Sequence, residues 1–207
     1  MTAAGAGPEA VEPVAAPTRL VLVRHGETEW SKAGRHTGRT DVPLTDAGRE
    51  QARRIGRALA GRTFSRVVVS PMSRAQETAR LAGFGDRIET FDELREYDYG
   101  VYEGRTRAEI LPDIPGWSVW THPMIDGESL AALAVRADRV IATLLPTGGD
   151  VLVVSHGHFL RELATRWIET APAEAARLEL WTATISELGW EHDNRVIEVW
   201  NAAPTMA

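Results

Sequence analysis

From Arg19 onward, short runs of β-branched residues alternate with segments of helical periodicity. This alternation is typical of a mainly parallel sheet covered by helices on both faces. The pattern predicts an α/β fold, a three-layer α/β/α sandwich around a mostly parallel, mixed sheet of about six strands. The predicted strands are residues 20–23, 66–70, 87–90, 150–155, 179–188 and 195–200, the last two forming a hairpin around residues 189–194.

Four longer helices are predicted from start signals and apolar spacing. One begins after Thr45, whose side chain suits the capping position. Another follows Ser70 and Pro71, because proline suits the first helical position. The last two begin after Ser129 and after Gly157, where apolar residues recur with the helical period.

The chain is predicted to form one domain over residues 19–203, preceded by a disordered leader over residues 1–18. That leader is rich in Ala, Gly and Pro, and it has neither a basic start nor the apolar stretch of a secretory signal. Residues 105–128 interrupt the alternation with three prolines and with Trp117 and Trp120. We expect a lid-like insertion lying across the sheet. Core positions are the more common role for the two tryptophans.

Charge and composition restrict the partners. The chain has 23 Lys+Arg against 29 Asp+Glu, a net charge of -6, which does not resemble the positive field of a nucleic-acid or anionic-membrane binder. Its apolar runs, such as residues 151–154, are far shorter than the ~20 residues that span a bilayer. The absence of cysteine excludes a thiol nucleophile and a thiolate metal site, and it fits a reducing compartment. We expect a cytoplasmic protein that binds neither nucleic acid nor membrane.

Charged and imidazole side chains follow the carboxyl ends of the predicted strands, where open parallel sheets bind ligands. The first strand ends in Arg24 and His25, the second leads to Arg74, and the fourth ends at His156. Glu96 follows the third strand. The topology therefore predicts that two arginines, two histidines and a carboxylate meet in one crevice.

These residue types fit phosphoryl transfer. Arg24 and Arg74 can each grip phosphate oxygens in bidentate fashion. His25 is the candidate nucleophile if a carbonyl holds the proton on its other ring nitrogen. His156 can stabilise the transferring charge when protonated, and Glu96 can protonate the leaving alkoxide and then activate water. This chemistry requires no metal and no cofactor.

Further residues are candidates for substrate binding. The amides after His156, including that of Gly157, lie at a predicted helix start and offer an anion site. Ser31 and Thr37 are equally suited to be turn residues or phosphate donors, and His158 is suited to packing or to substrate contact. We expect Arg161 to be solvated. His36 can approach a ligand from its loop, but the sequence gives no strong reason to place it there.

Five segments occur in one order along the chain, namely RHGET, SPMSRAQETA, ELREYDYGVYEG, DGES and VVSHGH. In this order they resemble the histidine phosphatase superfamily, in its phosphoglycerate mutase-like branch, over residues 19–167. Several motifs in order are far more specific than one alone. The resemblance implies phosphorylation of His25, a phosphoryl cradle of Arg24, Arg74 and His156, proton donation by Glu96, and substrate contact by Tyr99.

Departures from the mutases are informative. The WSKAGRHTGRTDVPLT and EYDYGVYEG segments look like the sedoheptulose- and fructose-bisphosphatase-like members and related acid phosphatases. The basic insertion of the mutases has no counterpart, since only Arg105 and Arg107 lie between Tyr99 and Asp126. We therefore expect a metal-independent phosphomonoesterase acting on a small phosphorylated metabolite, such as a sugar phosphate or bisphosphate.

Other functions remain as alternatives. Within the same family, these are a phosphoglycerate mutase and a protein-phosphohistidine phosphatase. A metal-dependent phosphoesterase would use His156 and His158, although the neighbouring Arg24 and His25 disfavour a divalent cation. A noncatalytic nucleotide-binding module lacks the expected glycine fingerprint, and an inactive scaffold would not need the five polar residues. A homodimer, formed through an edge strand or the Trp-rich segment, stays open.

Overall fold

The computed structural model describes residues 16–205. Its six strands are β1 (Arg19–Arg24), β2 (Arg66–Val69), β3 (Ile88–Thr90), β4 (Asp150–Ser155), β5 (Ile185–Glu191) and β6 (Asn194–Ala202). They form one sheet in the order β3-β2-β4-β1-β5-β6. The first four strands in this order are parallel, while β5 and β6 are antiparallel to their neighbours. The predicted six-stranded mixed sheet is therefore confirmed.

Helices cover both faces of the sheet. They are α1 (Glu29–Lys32), α2 (Asp46–Ala58), α3 (Ser73–Ala79), α4 (Arg107–Ile110), α5 (Leu130–Leu144) and α6 (Gly157–Trp167). Apolar residues of α5 and α6 pack with Leu20, Leu22 and Val153 on one face. Those of α2 and α3 pack with Val21 and Val23 on the other. Because the central strands are buried on both faces, their sequences are continuously apolar, and the layers form the predicted sandwich.

The capping prediction for Thr45 is confirmed, and Ser129 caps a second helix in the same way. The Thr45 hydroxyl accepts a hydrogen bond from the Gly48 amide at 3.0 Å and caps α2. The Ser129 hydroxyl accepts one from the Ala132 amide at 3.1 Å and caps α5. Such caps satisfy amides that have no partner within the helix, and each is worth ~1 kcal/mol.

The start of α3 differs from the prediction. Pro71 is not the first helical residue, because α3 begins two residues later at Ser73. The carboxylate of Asp41, from a distant loop, accepts hydrogen bonds from the Ser73 amide at 3.0 Å and from its hydroxyl at 2.8 Å. A tertiary contact therefore sets this helix start.

The predicted strand over residues 179–188 is wrong in its first half. The strand β5 begins only at Ile185, since Ala183 adopts a positive φ of 56° that interrupts the extended chain. The amide of Ala183 donates instead to the carbonyls of Arg24 and His25, so this segment crosses the end of β1. The hairpin is also tighter than predicted, with His192 and Asp193 alone joining β5 to β6.

The Trp-rich segment packs against the α5 and α6 face. Trp117 and Trp120 are both buried, and Ile110 joins them in the same apolar cluster. The tryptophans therefore occupy core positions. Lid behaviour of residues 105–128 stays a prediction.

The predicted leader falls mostly outside the described residues, which begin at residue 16. Of its last three residues, Thr18 is buried. Its hydroxyl donates to the Leu145 carbonyl and accepts from the Gly148 amide, both at 2.7 Å. Thr18 is thus held in place one residue before β1. Within residues 16–205, no helix has the length and hydropathy needed to cross a membrane.

Glu162 on α6 is fully buried, and among the described residues neither of its carboxylate oxygens has a hydrogen-bond partner. Burial raises the pKa of Glu162 to about 8, while Arg166 opposes and Asp138 reinforces this shift. The pKa of Glu162 is higher in the folded chain than in the unfolded chain. The folded state is therefore most stable at low pH, where Glu162 is neutral, and its free energy of unfolding falls as pH rises through the folded pKa.

We therefore expect Glu162→Gln to raise the melting temperature at alkaline pH and to leave it little changed in mild acid. Thermal melts of both proteins between about pH 5 and pH 9 measure the difference. Glu191→Gln, at an exposed position at the end of β5, is the matched control and should show no such trend. Parallel curves for the unaltered protein and Glu162→Gln would contradict the assignment.

Candidate active site

A cleft of about 170 Å³ opens at the carboxyl ends of β1 and β4. This is the edge at which a parallel sheet binds ligands. The residues lining the cleft are Arg24, His25, Ser31, Gly34, Arg35, His36, Thr37, Glu96, Tyr99, Gly157, His158, Arg161 and Leu180. Two predicted site residues, Arg74 and His156, do not line the cleft. Both are fully buried beneath it, next to His25.

His25 follows β1 and lies at the floor of the cleft, with a side chain that is almost fully buried. Its Nδ1 lies 2.7 Å from the Gly26 carbonyl oxygen, so Nδ1 carries the proton and donates it. The lone pair is therefore on Nε2. A Cβ on Gly26 would lie 2.4 Å from the carbonyl oxygen of Gly48, so only glycine permits this turn to pack on the start of α2.

The electrostatic surroundings keep His25 neutral. Burial lowers the pKa of His25 well below its ordinary value, and the nearby guanidinium groups of Arg74 and Arg24 lower it further. A neutral imidazole retains the lone pair that attacks phosphorus. His25 thus has both the tautomer and the protonation state of a nucleophile.

His156 is neutral as well, which differs from the protonated state expected from the sequence. Its Nδ1 accepts a hydrogen bond from Arg74 Nε at 3.2 Å, and its Nε2 lies 2.7 Å from the Ser70 hydroxyl. Burial lowers the pKa of His156 well below its usual range, and Arg74 and His25 reinforce this effect. If His156 were protonated, its Nδ1–H would point at the Arg74 Nε–H, and two donors cannot pair. His156 is therefore neutral in the free site. The rings of His156 and His25 lie 5.1 Å apart, edge to face.

The bidentate phosphate grip predicted for Arg74 is not available in this arrangement. Arg74 is fully buried, and its guanidinium donates to the carbonyls of Thr37, Gly38 and Thr40 at 3.0–3.2 Å. Its Nε donates to His156. Arg74 therefore clamps the loop over residues 37–40 to the imidazole pair and supplies positive charge from behind.

Arg24 faces the cleft directly. Its Nη1 donates to the Leu180 carbonyl at 2.5 Å, while its buried Nε has no partner within the described residues. A buried donor without an acceptor is costly unless a ligand supplies one. A Cβ on Gly157 would lie 3.2 Å from Cζ of Arg24, so glycine at the first residue of α6 lets the guanidinium lie against the helix.

Glu96 occupies the helix start that the sequence assigned to the substrate anion. Its Oε1 accepts hydrogen bonds from the amides of Tyr97 and Phe159 at 2.8 Å, and its Oε2 accepts one from the His158 amide at 3.0 Å. The carboxylate thus satisfies two of the first amides of α6. Of the amides predicted to bind the anion, that of Gly157 is left as the candidate.

Ser31 and Thr37 line the cleft but also stabilise local turns. The Ser31 hydroxyl accepts from the Thr28 amide at 2.9 Å and donates to the Thr28 carbonyl at 3.0 Å, which closes the capping box of α1. The Thr37 hydroxyl donates to the Arg35 carbonyl at 3.1 Å. Each hydroxyl donates its one proton to a backbone carbonyl and would have to turn away from it to donate to phosphate. The phosphate role of both residues stays a prediction.

Tyr99 and His158 form a coupled pair in the cleft wall. The Tyr99 hydroxyl lies 2.6 Å from His158 Nδ1. Burial raises the pKa of Tyr99 well above its ordinary value and lowers that of His158 well below its own. The phenol therefore donates, Nδ1 accepts, and the imidazole proton is on Nε2. His158 also packs against Trp120, with 5.2 Å between ring centroids.

Several cleft residues were not expected from the sequence. Arg161 is not solvated, because its Nε and Nη2 donate to the Ala175 carbonyl and its guanidinium lies 4.7 Å from the Trp120 ring centre. His36 also lines the wall, together with Arg35 and Leu180. The sequence signal for His36 is its place directly before Thr37 and Gly38 in the segment WSKAGRHTGRTDVPLT.

The donor set does not suit a divalent metal. Both nitrogens of His156 are engaged, one with the Arg74 guanidinium and the other with Ser70. Among residues 16–205, no cluster of three or more His, Asp or Glu side chains has the arrangement of a metal site. The two imidazoles suggested for a metal therefore have other partners.

The fold and the cleft together define an α/β protein with a neutral imidazole beside an arginine in a cleft at the strand ends. Residues 20–203 match the family model of the histidine phosphatase superfamily (branch 1), and the chain belongs to that superfamily. An acid phosphatase of Mycobacterium tuberculosis is 46% identical over 185 residues, which cover 87% of this chain and 91% of the relative. A sedoheptulose 1,7-bisphosphatase of Saccharomyces cerevisiae is 33% identical over 181 residues, covering 72% and 67%.

Solved structures agree with this family membership. The structure of an open reading frame product of Mycobacterium tuberculosis superposes with a TM-score of 0.85 at 43% identity, covering 91% of this chain and 99% of that one. A mycobacterial glucosyl-3-phosphoglycerate phosphatase superposes with a TM-score of 0.81 at 29% identity, covering 89% and 98%. The predicted family is confirmed.

We expect the imidazole of His25 to titrate below its ordinary value of about 6.5 in the free protein. In Arg74→Gln, loss of the nearby cation should move this pKa upward, whereas Arg74→Lys should retain most of the shift. NMR titration of the His25 ring measures the pKa without a titrating substrate. Equal values in the Gln and Lys variants would contradict the electrostatic explanation.

Proposed function

We propose that this protein is a metal-independent phosphomonoesterase that hydrolyses small phosphorylated metabolites through a phosphohistidine intermediate. Sugar phosphates and bisphosphates are the proposed substrates. The observation that carries the proposal is His25, whose Nδ1–H donates to the Gly26 carbonyl and whose Nε2 lone pair remains in a cleft with Arg24. The relatives named acid phosphatase and sedoheptulose 1,7-bisphosphatase support the same reaction class.

In the proposed first step, His25 Nε2 attacks phosphorus while the bond from phosphorus to the leaving oxygen breaks. The unpartnered Arg24 Nε and the Gly157 amide bind the phosphoryl oxygens. Glu96 protonates the leaving alkoxide through Oε2, the oxygen that accepts only one amide hydrogen bond. The products of this step are an alcohol and a phosphoryl group on Nε2.

The second step reverses the role of Glu96. The carboxylate takes a proton from water, the water oxygen attacks phosphorus, and the bond to Nε2 breaks to release inorganic phosphate. His25 recovers its lone pair. No oxidant, reductant or metal enters this balance.

Arg74 and His156 act from behind His25 in this proposal. Burial and the guanidinium groups of Arg74 and Arg24 keep His25 unprotonated in the free enzyme. A bound phosphate dianion brings negative charge near His156 and favours its imidazolium form, which requires the Arg74 Nε–H to turn away from Nδ1. His156 then stabilises the transferring group when charge develops there.

A mutase reaction is the second candidate, and Arg161 is the observation that favours it. The sequence favours hydrolysis because the basic insertion of the mutases has no counterpart, yet the Arg161 guanidinium lines the same cleft. A permanent cation there suits a leaving group that carries its own anion. A turnover screen that compares phosphoglycerate isomerisation with hydrolysis of sugar phosphates and of a phosphohistidine peptide distinguishes the two candidates.

The proposed ligand is a small molecule rather than a nucleic acid, in keeping with the net charge of -6. We propose a cytoplasmic location, which fits a chain without cysteine. A homodimer through the edge strand β6 is the proposed form of self-association.

The decisive experiment measures phosphate release from sugar phosphates in excess chelator. We expect turnover by the unaltered protein and no turnover by His25→Ala, because the variant lacks the atom that accepts phosphorus. Quenching the reaction in base should trap an alkali-stable, acid-labile phosphoprotein that His25→Ala does not form. His192→Ala, at the exposed β5–β6 turn, is the control. Full activity in His25→Ala would end the proposal.

For Glu96→Gln we expect a loss that depends on the leaving group. Hydrolysis of an alkyl phosphate should fall by roughly 10²- to 10⁴-fold, because its alkoxide needs a proton. Hydrolysis of p-nitrophenyl phosphate should fall less, since p-nitrophenolate scarcely needs one. Initial rates on both substrates measure the ratio, and equal losses would remove Glu96 from the role of acid.

A further inference from the structure

His36 is a cleft residue with a fixed orientation. Its Nδ1 lies 2.7 Å from the Arg105 carbonyl oxygen, and the Arg105 carbonyl also accepts the His36 amide at 3.0 Å. Its ring packs edge to face against Tyr99, at 4.9 Å between centroids, and against Trp117, at 5.1 Å. These contacts on several sides leave the imidazole little freedom to turn.

The hydrogen bond to Arg105 also sets the tautomer. A carbonyl can only accept, so Nδ1 carries the proton and Nε2 carries the lone pair. Burial lowers the pKa of His36, although the Arg105 carbonyl and the acidic Glu96 and Glu103 oppose this effect. His36 is therefore a neutral acceptor in a cleft where Arg24, Arg35 and Arg161 supply only donors.

His158 has the opposite polarity. It accepts the Tyr99 hydroxyl at Nδ1, so its proton is on Nε2. The rings of His36 and His158 are nearly parallel, with 15° between planes and 6.1 Å between centroids. Two imidazoles in the same wall thus offer one acceptor and one donor, and each tautomer is held by a separate partner, the Arg105 carbonyl or the Tyr99 hydroxyl.

A hydroxyl group matches this pair, since it can donate to one nitrogen and accept from the other. A phosphate or carboxylate would place its lone pairs against that of His36. We propose that His36 is a specificity-determining residue whose Nε2 accepts a hydrogen bond from a hydroxyl on the leaving group, with His158 Nε2 donating to the same or an adjacent hydroxyl. The favoured substrates are then phosphate monoesters of polyols.

This assignment rests on the proposed phosphatase function, and it adds a requirement on the part of the substrate that departs. The unaltered enzyme should favour glycerol 1-phosphate over propyl phosphate, which has the same chain length and lacks both hydroxyls. When propyl phosphate is bound, its chain covers His36 Nε2 without donating a hydrogen bond to it, and this unpaired acceptor is the physical cause of the preference.

The experiment compares kcat/KM for both substrates in His36→Phe, which keeps an aromatic ring but has no ring nitrogen. We expect the ratio of the two kcat/KM values to fall by roughly fivefold to tenfold, as for loss of one neutral hydrogen bond. His36→Gln provides an amide oxygen as acceptor and should recover part of the ratio. His122→Phe, outside the cleft-lining set, should leave the ratio unchanged.

A ratio that stays the same in His36→Phe, whether or not kcat/KM falls equally on both substrates, would overturn the assignment. If His36→Phe unfolds, the ratio in His36→Gln decides, because a value at or below one would then overturn the proposal. Absence of turnover by the unaltered enzyme on every phosphate monoester would instead overturn the proposed function, and this assignment with it.

Discussion

Parallel pairing between β1 and β4 brings the two halves of the site together. In that register Arg24 lies opposite Ser155, so His25 and His156, each one residue further along, leave the sheet side by side. The His25 amide still donates to the Ser155 carbonyl at 3.0 Å beyond the regular ladder. A shift of one residue would turn every side chain of β1 to the other face of the sheet. The imidazole pair therefore depends on the same apolar runs that bury the sheet.

The two arginines of the site lie at different depths. Arg24 faces the cleft with an unpartnered Nε, while Arg74 is buried and fully occupied with the loop over residues 37–40 and with His156. The cleft-facing cation suits ligand binding, and the one behind it helps to keep His25 neutral. Because both guanidinium groups stay charged across the physiological range, the neutral state of His25 does not depend on pH there.

Much of the architecture could be predicted from the chain alone, because buried parallel strands have long apolar runs and helix starts have local signals such as Thr45. The polar residues at the strand ends, including His25 and Glu96, followed from the same topology. Predictions about partners were less successful. Nothing local indicates that Arg74 would bind carbonyls from residues 37–40, that Glu96 would take the amides of α6, or that Ala175 and Trp120 would cover Arg161. These contacts join distant segments, so no periodicity encodes them.

The cleft has two walls of different origin. The wall around His25 comes from strand ends and helix starts, where a Cβ on Gly26 would clash with the Gly48 carbonyl and one on Gly157 would crowd the Arg24 guanidinium. The opposite wall comes from loop residues, including His36 and Leu180. Loops accept replacement far more readily than strand ends do. Homologous proteins can therefore change substrate specificity by substitutions in the loop wall, while the strand-end wall and its chemistry stay the same.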